Sequence, residues 1–257
     1  WNINVYRACL KNRVHVIDLG SDIPMTEKQL AMDSIFRKNK LIAITGCGST
    51  PGINNIMLDY AIGFLDSVHT VEAGFAWNSN IKEFVVPFSI PSIVEEFTEP
   101  ASLVKNNKWL KKIPLETIKG KRYQEIGRNK CFLVRHPEPY TFYFYYKNKG
   151  LKNVRFYAGF PTHSFSAIYN FITLGLASKE KIQINGSKIA PLEFLTEILR
   201  KSKIPEGYKE NEVLWVEVIG KKDGKRKEIF MECIANTLPG WEDAGCNIDT
   251  GIPASII

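Results

Sequence analysis

Two short runs, "VHVIDLG" (residues 14–20) and "LIAITGCG" (residues 41–48), constrain the fold more than any other feature. Each is apolar almost throughout and ends in an acid–glycine or glycine-rich turn. A strand apolar on both sides has no face for water, so both faces must be covered by other layers. Between the runs, Thr26 is placed to cap a helix through about Asn39, with Gln29 as its capping-box partner three residues on. Strand, helix and strand together predict a parallel βαβ unit, because parallel strands need a crossover connection. Ahead of them "INVYRACLKN" has helical spacing, with Val5, Cys9 and Leu10 on one face.

One such unit cannot bury itself and belongs to a longer doubly wound sheet. Only a helix precedes it, residue 1 is not Met, and "TGIPASII" begins an apolar helix that stops without a cap. The expectation is the middle and later part of a larger protein. Residues 1–66 would be the remnant of a doubly wound α/β sheet, 67–240 a separate α+β domain, and 241–257 a return to the first.

The middle region differs in kind. "HTVEAGFAW" alternates, placing Val71, Ala73, Phe75 and Trp77 on one side. "CFLVRH", "TFYFYYK" and "NVRFYAG" read as further strands, being rich in β-branched and aromatic residues. "VLWVEVIGKKDGKRKEIFMECI" reads as a hairpin whose Asp223-Gly224 suits a type I′ turn. Helices are expected over residues 54–65, 162–176 and 191–200, with Pro191 at a first helical position. The fold class is therefore α+β, a mixed or antiparallel sheet with helices on one face, attached to the remnant of a doubly wound α/β sheet. If "TFYFYY" is a strand, it is aromatic on both faces, with Phe142, Phe144 and Tyr146 on one and Tyr143 and Tyr145 on the other. Burying both then calls for a homodimer through the sheet.

Composition closes several routes. No run of 18 apolar residues exists and the first 20 residues lack an apolar signal core, so no membrane span or secretory leader is expected. Five scattered cysteines without a C-x-x-C pair argue for reduced thiols, a cytoplasmic setting and no metal site. The net charge of +7 is spread through turns with no basic helix, which reads as a solvated surface and not as nucleic-acid binding.

Chemistry concentrates at the strand ends. In open α/β sheets ligands bind beyond the carboxyl ends of strands, where Asp18, Leu19 and Gly20 lie; an Asx turn is the plainer role for Asp18. "TGCGSTPGINN" ends the next strand with three glycines and a proline, a loop that lets backbone approach a ligand. Cys47 at its apex is either a nucleophile or a small packing residue, and no base is identifiable beside it. No G-x-G-x-x-G occurs in the chain. Arg155, in "NVRFYAGFPTH", is either a bidentate clamp for a carboxylate or one half of an internal pair with Glu72 or Glu138. His163 and His136 titrate near neutrality and are candidate proton carriers.

"VHVIDLGSD", "TGCGSTPGINNIM", "PFSIPSIVEEFTEPA", "RHPEPYTF", "LKNVRFYAGFP", "LGLAS" and "TGIPASI" occur in an order that resembles saccharopine dehydrogenase-like proteins. That resemblance implies a Rossmann domain binding NAD or NADP, an inserted α+β domain for substrate binding and dimerisation, and a return segment. It implies hydride transfer between NAD(P) and a C–N bond of an amino-acid substrate, a secondary amine being oxidised to an imine or the reverse. Asp18, Cys47 and His163 would be catalytic, and Arg155, Thr162 and Gly48 would hold substrate. Leu19, Gly20, Pro51 and Gly52 would line the cofactor. A non-catalytic dimerisation or ligand-binding module of the same fold is the alternative.

Overall fold

The computed structural model describes residues 2–20 and 22–257. Helix α1 (Asn2–Asn12) precedes strand β1 (Val16–Asp18), helices α2 (Ile23–Leu30) and α3 (Asp33–Lys38), and strand β2 (Ala43–Thr45). The two strands pair in parallel, Val16 opposite Ala43 and Asp18 opposite Thr45, as the βαβ reading requires. Tyr6, Val16 and Phe36 form a small core on one side of this pair. Ile17 and Ile44, on the other side of the pair, are exposed in this chain.

The crossover corrects one expectation. The helix begins at Ile23, not after Thr26, because Asp22 caps it by accepting from the Met25 N–H at 3.0 Å. Pro24 occupies the first turn, where its missing N–H is not needed. Thr26 is buried inside the helix, and the chain breaks near Ala31 before α3 starts. Gln29 is no capping-box partner. Its Nε2 donates to Asp18 Oδ2 at 2.6 Å and its Oε1 accepts from the Thr45 hydroxyl at 3.0 Å, which ties α2 to both strand ends.

The larger unit follows. Helix α4 (Ile53–Ile62) leads to β3 (Ser67–Ser79) and α5 (Ile90–Thr98), then to β4 (Ala101–Lys105), β5 (Lys108–Lys112), β6 (Lys119–Tyr123) and β7 (Gly127–Leu133). Helix α6 (Glu138–Tyr146), β8 (Asn153–Phe160) and α7 (Thr162–Thr173) come next. A small hairpin, β9 (Ile182–Ile184) and β10 (Ser187–Ile189), precedes α8 (Pro191–Arg200). The chain closes with β11 (Glu210–Lys222), β12 (Lys225–Asn236) and α9 (Ile248–Ile256).

Apart from the β9–β10 hairpin, these strands form one mixed sheet in the order β12-β11-β3-β8-β4-β5, with β7 also on β8 and β6 on β7. The β3–β8 pair is parallel and the others are antiparallel. Period-2 alternation sorts the side chains as expected. Val71, Ala73, Phe75 and Trp77 of β3, and Val154, Phe156 and Phe160 of β8, join one core with residues of α4 to α8. Helices thus cover one face. The other carries Tyr157 and Trp215 under the folded-over β6–β7 hairpin, with Lys119 and Lys121 Nζ 3.9 and 4.0 Å from their ring centroids. Asp223 and Gly224, with φ of 50° and 74°, make the tight turn between β11 and β12 that their residue types suit.

The aromatic run is the clearest correction. "TFYFYY" is helical, within α6, and not a strand. Pro139 and Glu138 sit in the first turn, and burial follows a helical spacing: Glu138, Thr141 and Phe142 are buried while Phe144 and Tyr145 are exposed. Tyr140 stacks on Phe144 at 5.9 Å, one turn away, a contact a strand could not make. Tertiary burial overrides aromatic β-propensity here. The two-faced aromatic strand, and the argument for a dimer built on it, fall with this.

Candidate active site

The site grows from the direction of two strands. Because β3 and β8 are parallel, both end at the same edge of the sheet, and antiparallel β11 begins there, Glu210 opposite Ser79 and Glu212 opposite Trp77. Glu210, Glu212, Phe75 and Trp77 all lie on the helix-covered side. Helix α5 brings Glu96 over this edge, the segment after β7 brings His136, and α9 brings Asp249. Facing them are the carboxyl ends of β1 and β2. The space between consists of two adjoining chambers, of about 230 and about 420 Å³, which share Thr50, Glu96 and His136 as a common wall.

The smaller chamber is acidic. Glu96, Glu210, Glu212 and Asp249 line it and no lysine or arginine does. Glu210 has fixed duties: its Oε1 accepts from the Tyr208 hydroxyl at 2.7 Å and its Oε2 from the Cys246 N–H at 3.0 Å. It thereby holds the turn that delivers α9, where a Cβ at Gly245 would lie 2.3 Å from Glu210 Oε2. Burial pushes Glu96 up to about 7, with His136 opposing, and pushes Asp249 up to about 6. Glu212 too is raised well above the usual carboxylate range, by burial and by the charges of Asp249, Glu210 and Glu96.

The larger chamber lies at the parallel strand ends, against Leu19, Gly20, Thr50 and Pro51. Arg135 borders it and pairs with Asp22, bridging the two lobes across the cleft. At the junction, His136 Nδ1 lies 2.6 Å from Glu138 Oε2, and the ring stacks on Phe156 at 4.4 Å and 12°. Burial pulls the His136 pKa down, but the charge and hydrogen bond of fully buried Glu138, with Glu96, outweigh it and leave it raised. With Nδ1 engaged, Nε2 is the ring nitrogen left for another partner.

The sequence candidates divide sharply. Leu19, Gly20 and Pro51 line the larger chamber. Asp18 sits behind it with both oxygens engaged, accepting from Gly20 N, Gln29 Nε2 and Asn2 Nδ2 in an Asx turn. Cys47 is 2% exposed, and burial raises its thiol pKa, which leaves the weaker nucleophilic form. Gly48 and Gly52 pack on one another, since a Cβ at Gly52 would meet Gly48 O at 1.8 Å. His163 stands one layer back, Nε2 3.3 Å from Ser79 Oγ and its ring edge-on to Trp77, with burial and Lys82 lowering its pKa. Thr162 is exposed at the start of α7. Arg155 lies on the helix-free face of the sheet, Nη1 2.7 Å from Glu72 Oε1, and Glu72 also takes Lys119 at 3.0 Å. The internal pair is the one formed, and the guanidinium borders neither chamber.

Sequence reading passed over Glu96, Glu212 and Asp249, and it did not select Arg135. One signal was available. Glu212 continues the row Leu214, Val216 and Val218, so a carboxylate occupies what alternation marks as a core position.

A helix-backed mixed sheet closing over the ends of a parallel strand pair defines a class, and comparison names it. Residues 48–257 match the saccharopine dehydrogenase C-terminal domain model, and the chain belongs to that family. It is 24% identical over 262 residues to a carboxyaminopropylagmatine dehydrogenase of Synechocystis sp., a match covering 97% of this chain and 65% of that protein. Carboxynorspermidine synthases of Vibrio alginolyticus and Vibrio cholerae are each 22% identical over 271 residues, covering 98% of this chain and 64% of theirs. The chain thus spans just under two thirds of these relatives. The solved structure of apo saccharopine dehydrogenase (L-Glu forming) from Saccharomyces cerevisiae superposes with a TM-score of 0.74 at 12% identity, over 98% of this chain and 72% of that one, which is a likeness of fold.

Proposed function

We propose that this chain is the substrate-binding part of an NAD(P)-dependent oxidoreductase that interconverts a secondary amine and an imine on an amino-acid substrate. The observation that carries the reading is the His136–Glu138 pair, placed where the two chambers meet. The names of the relatives, a dehydrogenase and two synthases of amine-containing amino acids, are consistent with it.

The larger chamber fits one end of a dinucleotide. Leu19, Gly20, Thr50 and Pro51 would hold a nicotinamide ring at the strand ends, although the chain has no glycine-rich phosphate loop for the pyrophosphate. Bound there, the nicotinamide would exchange hydride with the carbon next to the substrate nitrogen.

The chain's own residues do the rest. His136 Nε2 takes the proton that the amine nitrogen sheds as the C=N bond forms, and it returns that proton in the reverse direction. Glu138 fixes the ring and stabilises its charged form, in a position no solvent reaches. Arg135, held by Asp22 at the rim, offers guanidinium N–H groups to a substrate carboxylate, the role the sequence had suggested for Arg155.

In the full-length protein, His136→Asn should lower kcat by roughly 10²–10⁴-fold with KM little changed, and should remove the corresponding limb of the pH–rate profile. An unaltered rate and profile would refute the proton role. Ligand binding without any turnover by the wild-type protein would point to a non-catalytic module.

A further inference from the structure

We infer that the acidic chamber recognises the cationic end of the substrate, an alkylammonium or guanidinium group carried at a distance from the reacting nitrogen. This inference rests on the proposed function in taking the chamber as part of the same substrate cleft. Its observations are separate.

Three elements converge their carboxylates on a space of about 230 Å³: α5 with Glu96, β11 with Glu210 and Glu212, and α9 with Asp249. Glu210 is occupied by Tyr208 and Cys246. The others are not all satisfied: Glu96 Oε2 and Asp249 Oδ2 are closed off from solvent with no hydrogen-bond partner, and Asp249 as a whole is 8% exposed. Buried polar atoms are ordinarily paired, so unpaired acceptors on residues that line a cavity point to donors supplied by a ligand against which the wall closes. An independent group makes the same point. Trp77, 4% exposed in the chamber wall, has an indole N–H without an acceptor. A ligand carrying both N–H donors and an acceptor such as a carboxylate would satisfy all three.

The cation is organic. Among the described residues no group of three or more His, Cys, Asp or Glu side chains is arranged to hold a metal ion, so the carboxylates surround a volume and do not converge on a point. Phe75 and Trp77 also form part of the wall, and aromatic faces attract alkylammonium and guanidinium groups.

Charge balance gives a signature. The groups facing the chamber are Glu96, His136 with Glu138 behind it, Glu210, Glu212, Cys246 and Asp249, with Cys233 of β12 close enough to sense Asp249 and Glu212. Buried together, Glu96, Glu212 and Asp249 hold protons above their ordinary range, Glu96 to about 7 and Asp249 to about 6. An entering cation favours their charged forms, so it expels protons, and binding tightens as pH rises through that interval.

Titration calorimetry of the chain with 1,4-diaminobutane tests this, with 1,4-butanediol as the uncharged control. Saturable diamine binding is expected at about pH 8, weaker by about tenfold or more at about pH 6, with heats that vary with buffer ionisation as protons are released. Butanediol should not bind. The isosteric variants Glu212→Gln and Asp249→Asn, checked for a native unfolding transition, should each weaken the diamine by about tenfold. Absence of saturable binding at the higher pH, equal affinity for the diol, or unchanged affinity in both variants would overturn the inference. If the diamine binds as stated while the full-length wild-type protein shows no turnover, the cation site stands and the redox reading fails. The converse pair of results separates them the other way.

Discussion

Replacing Glu96 by Gln should stabilise the protein, and only above a definite pH. The folded-state pKa is raised by burial from 4.5 to about 7, so between those values the native state binds a proton that the unfolded chain does not. Stability then falls as pH rises through the interval, because the native carboxyl must ionise in a closed site. At 1.36 kcal/mol per unit, the full penalty above about pH 7 is of order 3 kcal/mol. That figure is an upper value, since Glu212 and Asp249 share the buried site with Glu96 and compete for the same protons. Glutamine keeps the shape of the protonated acid and never ionises. Urea unfolding at about pH 5, 6, 7 and 8 should therefore show the variant and wild type diverging upward in pH by about 2–3 kcal/mol. In melting temperature this is about 2–4 °C per kcal/mol for a chain of this size. Stability profiles that stay parallel from pH 5 to 8 would refute the reasoning. Weakened cation binding in the same variant would mark the residue as one that trades stability for function.

Arg155→Met should destabilise by about 1–2 kcal/mol and leave KM unchanged in the full-length protein; the loss is below the ~3–5 kcal/mol of a fully buried pair because Lys119 stays on Glu72. A raised KM with unaltered stability would restore the substrate-clamp role. A homodimer remains the expectation, now through the helix-free face, where Phe230 and Ile234 of β12 are 46% and 42% exposed. Light scattering should give about twice 29.2 kDa for the wild type and a monomer for Phe230→Glu/Ile234→Glu; a wild-type mass near 29.2 kDa throughout would sink it.

Local patterns and close-range chemistry were legible from sequence alone. The parallel βαβ pair, the alternating faces of β3 and β8, the β11–β12 turn at Asp223-Gly224, and α8 from Pro191 to Arg200 all follow from periodicity and turn residues. So did the order of motifs that marks the family, and the placement of Leu19, Gly20 and Pro51 at the carboxyl ends of the parallel strands, where they line the larger chamber. Where two readings of one residue depended on distant partners, tertiary structure decided. "TFYFYY" carries strand propensity, yet the core behind α6 accepts it only with one side buried. Arg155 could meet a substrate or Glu72, and parallel pairing of β3 with β8 sets Glu72 beside it on the helix-free face. Asp18, Cys47 and His163 have reactive side chains, but hydrogen bonds and burial engage them away from the cleft. The acid chamber joins α5, β11 and α9, residues up to 153 positions apart between Glu96 and Asp249. No local pattern encodes that meeting. It exists because parallel strands end at one edge of a sheet, and because a closed site raises the free energy of charges that water would otherwise have solvated.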